Sequence, residues 1–286
     1  MKFRISKEAF LDGLQKVQHV VSSRTTLPIL SNVLLVAKDG RIQFTTTDLD
    51  VGITGSVEAQ IEKEGATTLP AKRLVSIIRE LPSSEVEVSV DAKNHASIRS
   101  GPSFFKIIGL GEAEFPPLPD FEGAKIFKIP QATLRDGLKK TSYAISTDET
   151  RYVLNGIFTS FRDGKMTLVA TDGRRLAMVD ADLEFPASHE TDVIIPTKAV
   201  QELQRLLGDA GEVIVKLSDS QISFTVGDSL LASKLIEGNY PNYRQVIPGD
   251  SNERVVISRE ALLETVRRVS LLSSDKSNSV KLVFSE

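Results

Sequence analysis

The chain has 286 residues, a formal net charge of −3, 41% apolar and 26% charged residues, and no cysteine. That length exceeds one ordinary hydrophobic core and favours two or three domains. The composition excludes a disulfide framework and thiolate metal sites, and the lack of any apolar run of about 20 residues excludes a membrane-spanning helix. Mild acidity argues against a surface that grips nucleic acid everywhere, yet it leaves room for one basic face. The start "MKFRISKEAF" has no secretory apolar core, so the expected compartment is cytoplasmic.

The first elements are a short strand and a helix with apolar positions Phe10, Leu14, Val17 and Val21. A β-hairpin follows in "NVLLVAKDGRIQFTTTD", turning at Asp39-Gly40, the strongest short-range hairpin signal. A second helix, "AKRLVSIIREL", is apolar at Leu74, Ile77, Ile78 and Leu81, and the strands "EVEVSV", "ASIRS" and "SFFKIIGL" close the unit.

The same order then returns. "FRISKEAFLDGLQKV" (3–17) aligns with "FKIPQATLRDGLKKT" (127–141) at an offset of 124, and that offset carries Asp39-Gly40 onto Asp163-Gly164 and Thr47-Asp48 onto Thr171-Asp172. The helix reads Leu134, Leu138, Ile145, the hairpin is "GIFTSFRDGKMTLVATD", and the second helix "TKAVQELQRLL" is apolar at Val200, Leu203, Leu206 and Leu207. A third start appears at "VVISREALLETVRRV" (255–269). Each unit is thus two helices laid on antiparallel strands, an α+β layer architecture, with boundaries at 1–122, 123–249 and 250–286. The chain ends at "VKLVFSE", so the third unit is expected to be incomplete.

The helices carry positive charge at recurring places: Lys7 and Lys16, then Arg135, Lys139 and Lys140, then Arg259, Arg267 and Arg268 on the first helices; Lys72, Arg73 and Arg79, then Lys198 and Arg205, on the second. A helix that buries one stripe offers its other face to solvent, so the repeats are expected to gather these groups on a common surface suited to phosphate backbone rather than to base reading. With no Trp and 6% aromatic residues, a stacking platform for single strands is disfavoured.

No catalytic constellation is present. His19, His95 and His189 lack metal-ligand spacing and read as surface or packing residues. Asp48 with Asp50, and Asp180 with Asp182, have the spacing of a shared strand face, but no base, nucleophile or metal partner accompanies them, so they read as solvated acids. No phosphate-loop, dinucleotide or nucleophile-elbow motif occurs, and neither an enzymatic activity nor a cofactor is expected.

One turn carries unexplained cargo: "VATDGRRLA" (169–177) puts Arg174 and Arg175 directly after a Thr-Asp-Gly turn, whereas the first unit has "TTDLDVG" there. Together with "TLPILSN" (26–32), "ATTLPAKRL" (66–74), "RYVLNGIF" (151–158) and "SKLIEGNYPNYRQVIP" (233–248), this stretch resembles the bacterial DNA polymerase III beta subunit, the replicative sliding clamp, over the whole chain. The resemblance implies tandem clamp domains in a ring-forming family: two protomers joined head to tail, helices lining a hole that holds double-stranded DNA, and a non-catalytic role in tethering the polymerase.

It further implies a partner-peptide groove on Leu154, Thr171, Gly173, Arg174, Arg175, Leu176, Pro241, Arg244 and Val246. DNA contacts fall on Arg24, Arg73 and Tyr152, with Val153 standing where the family often has a second tyrosine. Phe105 and Ile107 would meet Leu271 and Leu272 of the partner protomer in a homodimer. Implied partners are the DNA polymerase III catalytic subunit, the clamp loader and other clamp-binding repair and replication proteins. The alternative reading is a truncated paralogue that closes no ring and only binds clamp-partner peptides.

Overall fold

The computed structural model describes residues 1–21, 27–82, 84–249, 253–273 and 279–284. The chain divides into two units, Met1–Tyr240 and Pro241–Glu286.

The first unit holds two copies of one motif. In the first copy, β1 (Lys2–Ser6) leads into α1 (Lys7–Val17), then β2 (Asn32–Lys38), β3 (Arg41–Thr47), β4 (Val51–Glu58), β5 (Gln60–Lys63) and β6 (Gly65–Pro70). α2 (Ala71–Glu80) and β7 (Glu85–Val90), β8 (His95–Ser100) and β9 (Ser103–Ile108) complete it. The second copy runs β10 (Lys125–Pro130), α3 (Gln131–Thr141), β11 (Gly156–Arg162), β12 (Lys165–Thr171), β13 (Leu176–Asp182) and β14 (Thr191–Pro196). It ends with α4 (Thr197–Leu206), β15 (Glu212–Leu217), β16 (Gln221–Val226) and β17 (Ser229–Lys234).

The sequence offset of 124 is preserved in atomic detail. Both hairpins turn through left-handed Asp-Gly pairs, with φ of 49° and 73° at Asp39-Gly40 and 52° and 69° at Asp163-Gly164, which two-residue hairpin turns require. Lys16 pairs with Asp12 at 2.6 Å one turn back along α1, and Lys140 pairs with Asp136 at 2.6 Å along α3. Gly13 and Gly137 let the two helices press onto their sheets. A Cβ at Gly13 would lie 2.5 Å from the Phe44 ring, and one at Gly137 would lie 2.7 Å from Leu168, the residue 124 positions after Phe44.

The helices are shorter than the apolar spacing predicts. α1 ends at Val17 with Gln18 as its cap, so Val21 is buried from a following turn; α3 ends at Thr141, and Ile145 follows a 3₁₀ turn, Ser142–Ala144. Apolar periodicity carried across a tight turn because both shapes face the same core.

Three antiparallel sheets result: β5-β1-β7-β8-β9, β13-β12-β11-β14, and an eight-stranded sheet, β10-β15-β16-β17-β4-β3-β2-β6. The last crosses from one copy to the other where β17 pairs with β4, Leu231 opposite Ile53 and Ala232 opposite Gly52. One apolar core runs through both copies, from Phe3, Phe10 and Phe44 to Phe127, Phe161 and Phe224. Phe127 and Phe161 stack at 4.0 Å, with Phe185 and His189 edge-on to Phe127. His189 is therefore a packing residue.

Of two acids expected to be solvated, Asp48 is partly buried and structural, while Asp50 stays exposed and makes a surface ion pair. Asp48 and Asp50 lie in the β3–β4 turn, not on a strand, and meet lysines of the second copy: Asp48 pairs with Lys198, whose ammonium also donates to the Val20 carbonyl at 2.9 Å, and Asp50 pairs with Lys234 at 2.9 Å. Their partners lie 150 and 184 residues away, beyond the reach of a local reading.

The second unit holds a 3₁₀ turn, Tyr243–Val246, and α5 (Arg259–Ser270), capped by Ser258, whose hydroxyl accepts from the Ala261 amide. No residue of α5 is buried. No helix is long and apolar enough to cross a membrane among the described residues.

Candidate partner-peptide and nucleic-acid interfaces

The turn after β12 is built by two side chains. The Thr171 hydroxyl donates to the Arg175 carbonyl at 2.7 Å and accepts from the Gly173 amide at 3.0 Å, and the Asp172 carboxylate accepts from the amides of Arg174 and Arg175 at 2.9 and 3.0 Å. These amide bonds, those of Arg174 and Arg175 foremost, hold the Asp172 carboxyl below the usual range.

The β3–β4 turn repeats this scheme bond for bond. Thr47 donates to the Val51 carbonyl at 3.1 Å and accepts from the Leu49 amide at 3.1 Å; Asp48 accepts from the Asp50 and Val51 amides at 3.0 and 2.8 Å. Leu49 stands where Gly173 stands, and Asp50 and Val51 stand where Arg174 and Arg175 stand. The turn closes without arginines, so its architecture does not explain their presence.

What surrounds the two arginines differs. Arg175 is engaged twice: its Nε lies 3.1 Å from Asp172 Oδ2, and its guanidinium sits 5.6 Å from the Tyr143 ring centroid. Arg174 is exposed and its guanidinium has no hydrogen bond or ion pair among the described residues, while its amide is held by Asp172. Arg151, which sequence reasoning missed, faces Gly173 so closely that a Cβ there would lie 2.6 Å from its Nη1. Its own charge is taken by Asp148 at 3.0 Å. The signal was present in "TDETRY", where Asp148 also caps Thr150.

Around this turn, Leu154 is buried at the end of the 3₁₀ segment Glu149–Leu154, and Leu176 opens β13 half-buried. β13 is an edge strand of its sheet. Tyr240, also missed in the sequence, stacks on Phe158 at 5.0 Å. Its hydroxyl is buried beside the Thr171 backbone, and burial pushes the phenol up to about 12. Of the sites expected on the second unit, Arg244 lies over the Tyr243 ring at 5.9 Å, and Pro241 and Val246 are exposed.

The positive helix residues divide into two groups. Lys7 donates to the Leu81 carbonyl at 2.6 Å, Lys198 ties the two copies together, and Lys16, Arg135, Lys140 and Arg205 each pair with a nearby acid. Lys72, Arg73, Arg79 and Lys139 are exposed and have no ion pair among the described residues. Tyr152 is 58% exposed. Arg24 lies outside the described residues.

On β9, Phe105 is 38% exposed, whereas Ile107 is buried in the core and offers no free surface. Leu271 and Leu272, just past α5, are 82% and 94% exposed. No group of three His, Asp or Glu residues among the described residues could hold a metal ion.

The chain matches the DNA polymerase III beta subunit family in order: its N-terminal domain over residues 1–119, its central domain over 128–242 and its C-terminal domain over 244–286. It is 36% identical over 285 residues to the beta sliding clamp of Chlamydia muridarum, covering 100% of this chain and 78% of that one. It is 34% identical over 289 residues to the clamp of Bacillus subtilis, covering 98% and 76%. A crystal structure of a sliding clamp from Bartonella birtlesii, bound to griselimycin, superposes with a TM-score of 0.91 at 41% identity, over 97% of this chain and 76% of that one. The crystal structure of the Bacillus subtilis clamp gives 0.92 at 33% identity, over 96% and 75%. The chain belongs to the family of the bacterial DNA polymerase III beta subunit, the replicative sliding clamps.

Proposed function

We propose that this chain acts in replication as a non-catalytic processivity factor in the cytoplasm, encircling duplex DNA as a head-to-tail dimer and holding the polymerase through a peptide-binding groove. Its domains are read as 1–122, 123–249 and 250–286. Arg24, Arg73 and Tyr152 face DNA in this reading; Lys72, Arg79 and Lys139, exposed and without an ion pair among the described residues, add a diffuse positive field. Such a field attracts phosphate without fixing a register, which suits a protein that must slide. The edge of β9 around Phe105 and the leucines Leu271 and Leu272 serve the protomer interface.

The observation that carries the reading is the repeated turn. Two turns of the same hydrogen-bond scheme differ in their cargo, and only the second bears arginines and an adjoining Leu176 on an edge strand. Leu154, Thr171, Gly173, Arg174, Arg175 and Leu176, with Pro241, Arg244 and Val246, are assigned to a groove for short linear peptides of the polymerase catalytic subunit, the clamp loader and repair proteins.

Retention on DNA tests the encircling function. Labelled chain assembled on nicked circular DNA is expected to survive a high-salt wash and to be released once the circle is linearised. Release at the same rate from circle and linear duplex rejects encirclement.

A further inference from the structure

Resting on the reading of the Thr171–Leu176 turn as a docking wall, the repeat raises the question of what the counterpart of that wall does in the first copy. The strand ladders fix the equivalence: Thr47 lies opposite Gly52 across β3 and β4, as Thr171 lies opposite Leu176 across β12 and β13. Leu30 stands 124 positions before Leu154. Both apolar positions of the docking wall therefore have counterparts, and in the first copy the chain itself covers them.

The cover is the linker between the copies, Phe115-Pro116-Pro117-Leu118-Pro119. Phe115 is buried in a small cluster with Ile29 and Leu30, and Leu34 packs against it. Leu118 lies so close over Gly52 that a Cβ there would collide with its Cδ2. Gly52 has no left-handed backbone that demands a glycine, and apart from Leu118 the nearest atom to such a Cβ is Thr47 Oγ1 at 3.5 Å, an ordinary contact. The glycine is thus a seat for Leu118, whereas Leu176 fills the equivalent place with its own side chain. On the far side, β17 closes the cleft through the pairing of Lys234 with Asp50 at 2.9 Å. What stays open beneath the linker is about 70 Å³, against roughly 300 Å³ for the smallest ligand pockets.

We propose that the linker at 115–119 is a built-in ligand, seated in a second, latent site for apolar linear peptides that is the first copy's counterpart of the docking site. Its three prolines leave the segment little conformational freedom to lose on seating. Tethered at both ends, it competes at an effective concentration on the order of millimolar. An external peptide is excluded, and the chain presents one docking site rather than two.

The test uses the full chain and a labelled neutral peptide with Gln, then Leu, ending in Leu-Phe. Calorimetric titration of the native chain is expected to give one peptide per chain. Leu118→Ala empties the seat without a clash and should raise the count to two, the second about tenfold or more weaker because the tethered linker still competes. A single cooperative unfolding transition checks that this variant is folded. The stricter arm rebuilds the surface of the second copy on the first. In a chain whose second-copy site is removed by Leu176→Asp, the pair Gly52→Leu with Leu118→Ala should restore saturable binding, and Leu49→Asp at the edge of the cleft should abolish it again. If folded Leu118→Ala still takes one peptide and the rebuilt chain takes none, the latent site is overturned and the docking site of the second copy stands. If the native chain takes no peptide, the docking reading fails and this inference falls with it.

Discussion

Leu49 and Gly173 hold the same backbone shape 124 residues apart, with φ of 81° at one and 85° at the other. A left-handed conformation costs an L-residue about 1–2 kcal/mol that glycine avoids. The first copy therefore already carries that strain on a side chain, whereas the second has none to carry. Gly173→Ala is expected to lower stability by about 1 kcal/mol, because it adds the strain and brings a Cβ against Arg151. Leu49→Ala should change stability by less than about 0.5 kcal/mol, since the shape is already imposed on a Cβ there. Urea denaturation of the two variants checks both values.

The helix glycines make a sterner demand. Gly13→Ala and Gly137→Ala each add helix propensity of about 1 kcal/mol, but they drive a Cβ into Phe44 and Leu168, both fully buried. Overpacking costs about 1–3 kcal/mol and outweighs the gain. Both variants should be destabilised, Gly13→Ala the more so because a ring yields less than a leucine methyl. Thermal unfolding of the pair gives the order.

Ion pairs between the two copies should contribute unequally. Lys198 and Asp48 are partly buried, and Lys198 also satisfies the Val20 carbonyl. A double-mutant cycle with Lys198→Met and Asp48→Asn is expected to give a coupling of about 1 kcal/mol or more. Lys234 and Asp50 are exposed, and the same cycle there should give below about 0.5 kcal/mol, falling with salt.

Tyr240 gives the fold a sensitivity to alkali. Its phenol titrates at about 12 in the folded chain against about 10 unfolded, because burial disfavours the phenolate. The folded-state value is raised, so this contribution is fully present below pH 10 and is lost as pH rises towards 12. Ultraviolet titration should show a tyrosine step near pH 12 that disappears in Tyr240→Phe. That variant removes a buried hydroxyl together with its contact to the Thr171 backbone, two effects of opposite sign, so its stability near neutral pH should lie within about 1 kcal/mol of native.

The repeat, both Asp-Gly hairpins and the helix positions were legible because each rests on local chemistry: turn residues, apolar periodicity, a cap. Asp48 was misread as solvated because its lysine comes from the other copy, 150 residues away; Asp50 is exposed as expected, and its pairing with Lys234, 184 residues away, left no local sign. The joining of β17 to β4 was hidden for the same reason, since edge pairing leaves no local mark in either strand. At the docking turn the sequence exposed the arginine pair as surplus, but that Arg175 and Arg151 are engaged depends on Asp172, Tyr143 and Asp148 meeting them in space. The buried Tyr240 hydroxyl left no trace in the sequence at all.

The most direct test of the central claim compares the two equivalent turns in one binding experiment. Fluorescence anisotropy with the labelled Gln-Leu to Leu-Phe peptide is measured for the native chain, for Leu176→Asp in the second copy and for Leu49→Asp in the first. The account predicts saturable binding by the native chain and by Leu49→Asp, and its loss in Leu176→Asp. Equal binding by all three chains, or loss in Leu49→Asp instead, would contradict it.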